Sequence, residues 1–205
     1  MRVRSLTRAV ILSIGFLSTQ AFAAGDVVDY VEAKQVTNPP PSVALNTFDK
    51  FEISPLAMGA PYAGQAANED AKKRLQASLD EKVKPMLAQW NAADAKNNPP
   101  KTLKIEPTIR HVKFIGGAAR FWAGAAAGGS AALITVKLTD AATGEVIGEP
   151  EFYQHANKFG AAYSFGATDK NMLGREAELI ADYLRANYAA AVGGPTGKEN
   201  PADKK

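Results

Sequence analysis

The sequence predicts an α+β domain in which a mostly antiparallel sheet of about four strands carries two helices on one face, in the order β-α-β-β-β-α. Three observations lead to this fold class. Alternating apolar and polar residues indicate strands within 47–55, 101–115 and 131–156. Apolar residues that recur every three or four positions indicate helices within 68–93 and 168–191. Consecutive strands between two helices are typical of an antiparallel sheet with helices on one side.

The chain opens with a segment that is typical of a secretory signal. Three arginines precede an apolar run at 9–17, and Ala21-Phe22-Ala23 offers the small residues of a cleavage site. The run is too short to cross a bilayer. We therefore expect residues 1–23 to be a signal peptide, and the mature protein of about 182 residues to be a periplasmic or secreted bacterial protein.

Charge and cysteine content exclude several classes of partner. The signal holds three of the 24 basic residues and none of the 21 acidic ones, so the mature chain carries 21 residues of each sign. A neutral mature chain gives no reason to expect a nucleic-acid partner. The chain has no cysteine, which excludes a disulfide-linked partner, thiol catalysis, a cysteine metal site and a lipid-anchored N-terminal cysteine.

The first predicted strand follows a proline-rich arm. Residues 24–46 lack a regular apolar pattern, and Asn38-Pro-Pro-Pro-Ser42 favours an extended polyproline conformation, so a flexible arm is expected. Beyond the arm, Phe51 and Ile53 alternate with charged residues up to Pro55, as in a half-buried strand that ends at a proline.

The first predicted helix spans Asn68 to Ala93, with Leu75 and Leu79 in its apolar stripe. Pro85 should kink or interrupt it, because proline lacks the N–H that a helix interior needs. Charges of both signs fill the opposite face, which indicates a solvated surface.

The second strand region, 101–115, changes phase along its length. Leu103, Ile105 and Ile109 share one parity, whereas Val112 and Phe114 share the other. A β-bulge or bend near Arg110 and His111 would keep both sets on the buried face.

A hairpin joins the last two strands. Residues 131–139 alternate regularly, and Asp140-Ala-Ala-Thr-Gly144 predicts a turn in which the aspartate carboxylate caps the backbone and the glycine supplies a positive φ. Residues 145–156 return as the partner strand, where Pro150 indicates an edge or a bulge.

Thr168 or Asp169 is expected to cap the last helix, which reaches to about Ala191. Residues 192–205 carry glycine, proline and charges without a core residue, so a disordered tail is predicted. These boundaries leave one α+β domain at 47–191.

Several segments together resemble a family of bacterial envelope proteins, many of them lipoproteins, known as domain of unknown function 4410. The segments are Phe48-Asp-Lys-Phe-Glu-Ile-Ser-Pro55, Val136-Lys-Leu-Thr-Asp-Ala-Ala-Thr-Gly-Glu-Val146 and Gly166-Ala-Thr-Asp-Lys-Asn-Met-Leu-Gly174 running into Ile180-Ala-Asp-Tyr-Leu184. The fold is more loosely similar to the periplasmic domains of the curli secretion lipoprotein and of the Tol-system propeller protein. The resemblance covers about residues 46–188 and implies a fold and an envelope location without implying a chemistry. The chain departs from the lipoproteins in lacking their anchoring cysteine.

Catalytic patterns are scarce, and no metal site or cofactor is expected. His111 and His155 are the only histidines, and they do not stand at the spacing of metal ligands. The glycines of 116–129 lack the pattern of a phosphate-binding loop. Glu176 and Glu178 are two residues apart on a helix and therefore point in different directions, which argues against a paired carboxylate site.

The most unusual feature is the Gly/Ala loop, residues 115–130. Small residues in a long connection allow close backbone packing, which is one interpretation of the loop. The other interpretation is a contact surface for a partner or a membrane interface, in which small residues form a packing face and an aromatic and cationic anchor stands beside it. The candidate binding residues are Arg120, Phe121, Trp122, Gly124 and Gly128.

Two hypotheses about function follow. The first is a non-enzymatic envelope protein that binds a protein partner or associates with itself through the Gly/Ala loop, with possible peripheral contact to a membrane. The second is a periplasmic enzyme that binds or hydrolyses a small ligand in a cleft near His111, His155 and the loop. The absence of a convergent acid, base and nucleophile motif favours the first.

Overall fold

A computed structural model describes residues 32–114, 129–156 and 167–199, without the side chains of 167–170. The strands are β1 (Thr37–Asn38), β2 (Lys50–Ile53), β3 (Ala57–Met58), β4 (Thr102–Lys113), β5 (Ala131–Asp140), β6 (Val146–Gly148), β7 (Glu151–His155) and β8 (Gly194–Pro195). The helices are a 3-10 helix (Leu45–Thr47), α1 (Ala66–Lys82), α2 (Lys84–Asn91) and α3 (Ala167–Ala189).

The main sheet has four columns. Strands β4 and β5 form the antiparallel centre, from Leu103 opposite Asp140 to Lys113 opposite Ala131. Strands β2 and β3 lie end to end along the outer side of β4 and run parallel to it. Strands β6 and β7 lie end to end along the outer side of β5 and run antiparallel to it. The predicted sheet of about four strands is confirmed, and its one parallel column follows from the helical crossover between β3 and β4.

The helices pack against one face of the sheet, as predicted. Alternate residues of a strand share a face, and Ile105 and Ile134 of the two central strands therefore face the helical layer. They join Leu75 of α1 and Ile180 of α3 in a single buried apolar cluster. Because burying one such side chain contributes about 1.5–3 kcal/mol, this cluster accounts for the docking of the helices.

The predicted bulge and hairpin turn are both present. The β4–β5 register shifts between Ile109 and His111, which reconciles the two apolar phases of β4. In the turn, Oδ1 of Asp140 accepts a hydrogen bond from the Ala142 N–H at 2.8 Å. Gly144 has a φ of 75°, a conformation that glycine adopts without a steric penalty.

Two prolines interrupt regular structure where the sequence predicts. The helical segment breaks at Val83, so that Pro85 stands in the first turn of α2, where a missing N–H costs no hydrogen bond. Pro150 separates β6 from β7.

The two ends of the described chain differ from the predicted flexible arm and disordered tail. Strand β1 pairs antiparallel with β8, through Thr37 opposite Pro195 and Asn38 opposite Gly194. The carbonyl of Thr196 accepts a hydrogen bond from the Tyr153 N–H at 2.7 Å, which ties this ribbon to β7. Residues 32–46 and 192–199 therefore hold each other in place, although neither segment has an apolar periodicity of its own.

Within the described ranges, no helix combines the length and apolarity needed to cross a membrane.

Candidate functional site

The predicted contact residues of the Gly/Ala loop, Arg120, Phe121, Trp122, Gly124 and Gly128, lie outside the described residues. The points where this loop leaves and rejoins the sheet are described. The β4–β5 ladder ends with Lys113 opposite Ala131, and β7 ends beside them with His155 opposite Ala131. We call this end of the sheet, formed by residues 110–113, 131–133 and 153–155, the loop end.

A pocket of about 320 Å³ opens beside the loop end. The turn from Gly59 to Tyr62 forms one wall, and Thr108 to Arg110 of β4 forms the other. The Arg110 side chain is exposed, and it stands at the β4 bulge, where the extra residue changes the direction of the strand. The pocket, called here the Tyr62 pocket, therefore has an arginine and a tyrosine in its lining.

Tyr62 links this pocket to a buried histidine. Its hydroxyl lies 2.8 Å from Nδ1 of His111, and the two rings meet edge to face with centroids 5.2 Å apart. Burial lowers the pKa of His111 from its ordinary value of 6.5, and the neighbouring charge of Lys113 lowers it further. His111 is therefore a neutral imidazole at pH 7, already engaged by a hydrogen bond.

The two histidines share a face of the sheet without meeting. His111 stands opposite Leu133 and His155 opposite Ala131, so strand β5 separates them. Strands lie about 4.8 Å apart, which places the two backbones about 10 Å or more from each other. The His155 ring instead stacks on Tyr153 with centroids 5.8 Å apart. Among the described residues, the two candidate acid–base groups thus lie on the same face of the sheet, and no hydrogen bond joins them.

Glu176 and Glu178 have separate environments, as their spacing predicts. Oε2 of Glu178 lies 2.6 Å from Nζ of Lys82 on α1. Glu176 is fully buried, and within the described part of the chain neither carboxyl oxygen has a hydrogen-bond partner. Sequence reasoning missed this site, although Glu176 stands four residues from both Met172 and Ile180 in the apolar stripe of α3.

Asparagine side chains bond to the backbone at one position on each outer edge of the sheet. On β7, the Asn38 amide accepts the Glu151 N–H at 2.8 Å and donates to the Glu151 carbonyl at 2.7 Å. Asn91 plays the same role on β2, opposite Phe51. By contrast, past the β3 pairing at Thr108 and Ile109, no described strand lies on that side of β4. This open edge belongs to the loop end.

A second pocket, of about 240 Å³, lies between the β1 segment and β7. Its lining includes Asn38 and Glu151, whose hydrogen bonds are the structural ones described above. Among the described residues, no group of histidine, aspartate and glutamate side chains is arranged to hold a metal ion.

No protein-family model matches the chain, and no curated protein matches it either. The resemblance to domain of unknown function 4410 therefore stays a prediction.

Solved structures of similar outline do exist. A provisionally assigned lipoprotein from Caulobacter crescentus is 15% identical, with a TM-score of 0.36 over 71% of this chain and 93% of that one. The PelC dodecamer from Paraburkholderia phytofirmans is 12% identical, with a TM-score of 0.34 over 68% and 91%. The protein XCC0632 from Xanthomonas campestris is 14% identical, with a TM-score of 0.37 over 76% and 94%. The chain is thus similar in outline to a lipoprotein, to PelC and to XCC0632, and no role follows from a likeness at these identities and TM-scores.

Proposed function

We propose that this chain is an exported, non-enzymatic envelope protein whose α+β domain binds another protein, or a second copy of itself, through the loop end of the sheet. One observation carries the proposal. The Gly/Ala loop, with its predicted anchor residues, starts and finishes at the same end of the sheet that presents Arg110 and the Tyr62 pocket. The proposal therefore assigns the predicted loop residues and the Tyr62 pocket to one binding surface.

The residue types at this surface support binding to a protein. Tyrosine, tryptophan and arginine are the side chains that most often dominate interface energies, because they bury large areas with few rotatable bonds. Tyr62 and Arg110 border the pocket, and Trp122 belongs to the sequence segment that joins β4 to β5. Beyond Ile109, β4 has no partner strand on one side among the described strands, and such a backbone edge can pair with another chain.

The engaged state of His111 supports a non-enzymatic role. A general base must come within about 3 Å of the proton that it removes, whereas the ring of His111 is buried and its Nδ1 is held by the Tyr62 hydroxyl, so that only Nε2 remains and solvent does not reach it freely. The competing proposal, a hydrolytic cleft, requires His111 and His155 to act in one site. Replacing both histidines should leave binding to the partner and any hydrolysis of ester substrates unchanged; a loss of hydrolysis would favour the enzyme.

Light scattering on the mature chain, residues 24–205, tests self-association. We expect a discrete oligomer whose mass returns to that of a monomer in Trp122→Ala and Arg110→Ala. Lys137→Ala is the matched control, since Lys137 is an exposed cation on β5 near the opposite end of the sheet. Circular dichroism should show that all three variants stay folded. Repeating the measurement with phosphatidylethanolamine and phosphatidylglycerol vesicles separates membrane contact from protein association.

A partner of different sequence calls for a second measurement. A photo-crosslinking amino acid placed at position 110 in the producing bacterium should yield a discrete adduct, and the same group at position 137 should not. A monomeric chain that also forms no adduct from position 110 would contradict the proposed function.

A further inference from the structure

The buried carboxyl of Glu176 is the least expected group in the described structure. The side chain is fully buried, and neither Oε1 nor Oε2 has a hydrogen-bond partner among the described residues; Thr139 Oγ1 is the only other buried side-chain atom there in this condition. An unpartnered buried polar group costs free energy, and an unpaired buried charge costs far more. The fold therefore tolerates this residue only as the neutral acid.

Among the described residues, the surroundings of Glu176 are largely apolar. On its own helix, Met172 and Leu173 precede it by one turn, and Ile180 follows by one turn, all fully buried. Its neighbour Arg175 is exposed and donates its Nε–H to Oε1 of Gln154 at 3.1 Å. Burial raises the pKa of Glu176 well above its ordinary value of 4.5, and Arg175 opposes that rise only in part.

Most of the other charged groups on the elements packed against α3 form ion pairs. Helix α3 contacts α1, β7, β8 and the 3-10 helix, and the last of these carries no titratable side chain. The ion pairs are Lys82 with Glu178 of α3, Asp70 with Arg74, Asp80 with Lys84 of α2, Glu151 with Lys34, and Lys198 with Glu32. The remaining charged residues of α1 are exposed or half-buried: Glu69, Lys72, Lys73 and Glu81. His155 stacks on Tyr153.

We propose that Glu176 makes the docking of helix α3 onto the sheet dependent on a proton, with the protonated carboxyl favouring the docked helix. When the carboxyl ionises, it must reach water, which requires the helix to move away from the sheet or water to enter beneath it. This proposal does not depend on the proposed function, since it concerns the face of the sheet that carries the helices. It gives the domain a response to the pH of its compartment.

The sign of the response follows from proton linkage. The folded chain keeps its proton on Glu176 at pH values where the unfolded chain has lost it, so folding takes up a proton between pH 4.5 and the raised pKa. The contribution of Glu176 to the stability of the fold is therefore fully present below about pH 4.5 and declines as the pH rises. One linked proton changes the folding equilibrium constant by up to tenfold per pH unit in that window.

Urea unfolding from pH 4 to pH 8 tests the linkage. The ratio of folding constants, Glu176→Gln over wild type, should rise by up to tenfold per pH unit above pH 4.5, because glutamine cannot ionise. His111 titrates in both proteins and cancels from this ratio. Glu178→Gln, which removes a carboxylate from the exposed side of the same helix, should give a ratio that does not rise in this way.

Glu176→Met is a second neutral replacement, in case the amide is poorly accommodated. If the folding constants of the wild type and of both neutral variants changed with pH in parallel, the proposal would be overturned. A failure of both variants to fold would also overturn it, because a neutral side chain of similar size should fit where the protonated acid does.

Hydrogen exchange locates the response. Protection factors, which correct for the intrinsic pH dependence of exchange, should fall between pH 5 and pH 7.5 in α3 residues 172–183 of the wild type, and stay unchanged in Glu176→Gln. The protection factors of the β5 amides at 134–138 should fall less over the same pH range. An equal loss across both elements would mean that ionisation loosens the whole domain, and the proposed undocking of α3 would be wrong.

Discussion

The side-chain amide of Asn91 takes the place of a neighbouring strand for Phe51. Its Oδ1 accepts a hydrogen bond from the Phe51 N–H at 2.7 Å, and its Nδ2 donates to the Phe51 carbonyl at 3.0 Å. Asn91 is the last residue of α2, so this contact also fixes the end of the helical layer on the edge of β2. One residue thereby satisfies the backbone of an edge strand and blocks the addition of another strand.

Replacing Asn91 with alanine should expose that edge. The Phe51 N–H and carbonyl would lose their partners in a partly buried position, so we expect a loss of about 1–3 kcal/mol in the free energy of unfolding. Urea denaturation followed by circular dichroism measures the change. The control is Asn171→Ala, which alters an exposed helical asparagine and should stay within about 0.5 kcal/mol of wild type. Equal effects of the two substitutions would contradict the role given to Asn91.

A glycine of the C-terminal segment provides a second test. Gly197 has a φ of 86°, and a Cβ there would meet the Tyr153 carbonyl oxygen and approach within 2.6 Å of Cδ1 of Leu179. Gly144 has a similar φ of 75° with open space around it. Both alanine variants carry backbone strain of about 1 kcal/mol, but only Gly197→Ala adds a clash with backbone.

We therefore expect Gly197→Ala to lower the free energy of unfolding more than Gly144→Ala, and to release the 194–198 segment from β7. Limited proteolysis followed by mass spectrometry should show cleavage after residue 192 in the first variant alone. Cleavage at the same rate in wild type would mean that the segment is not held as described.

Much of the fold could be predicted because its signals are local. The Asp140–Gly144 turn, the bulge near His111 and the break before Pro85 each follow from residues within a few positions of one another. Backbone sterics and side-chain alternation act over that same range, so sequence pattern and structure agree at these points.

The features that could not be predicted depend on residues that are distant from each other in the chain. Asn38 bonds to Glu151 across 113 residues, and Thr196 donates its hydroxyl to the Gln35 carbonyl across 161. Neither segment shows a periodicity, since each is ordered by the backbone of the other rather than by its own apolar side chains. The Tyr62 pocket could not be predicted for the same reason. Strand β3 is only two residues long, so its pairing with β4 produces no alternation of apolar and polar residues in the sequence.

Acid titration should reveal a carboxylate with the opposite response to that of Glu176. The Lys101 N–H donates to Oδ2 of Asp49 at 2.8 Å, and together with donors from Asn97 and Lys96 it holds the pKa of Asp49 at about 2. Because the folded pKa lies below the ordinary value of 3.8, this contribution to stability is present above pH 3.8 and is lost as the pH falls toward 2.

Asp49→Asn should therefore lower the urea midpoint at pH 7 and flatten the fall in stability between pH 4 and pH 2. Asp94→Asn is the matched control, since Asp94 is exposed and follows α2 without a hydrogen bond from its side chain among the described residues. A wild-type fall in this range that Asp49→Asn leaves unchanged would assign the acid response to other groups.

The hydrogen bond between Tyr62 and His111 leads to the last prediction. Tyr62→Phe keeps the ring in its edge-to-face contact and removes the hydroxyl, so the buried Nδ1 of His111 loses its partner, and we expect a loss of about 1 kcal/mol. Tyr188→Phe is the control, because Tyr188 stacks on Trp90 at 4.3 Å and its hydroxyl has no hydrogen bond among the described residues. Urea midpoints compare the two variants, and imidazole nitrogen shifts measured by NMR should change at His111 in Tyr62→Phe only. A shift in both variants, or in neither, would show that the Tyr62 hydroxyl does not hold this ring.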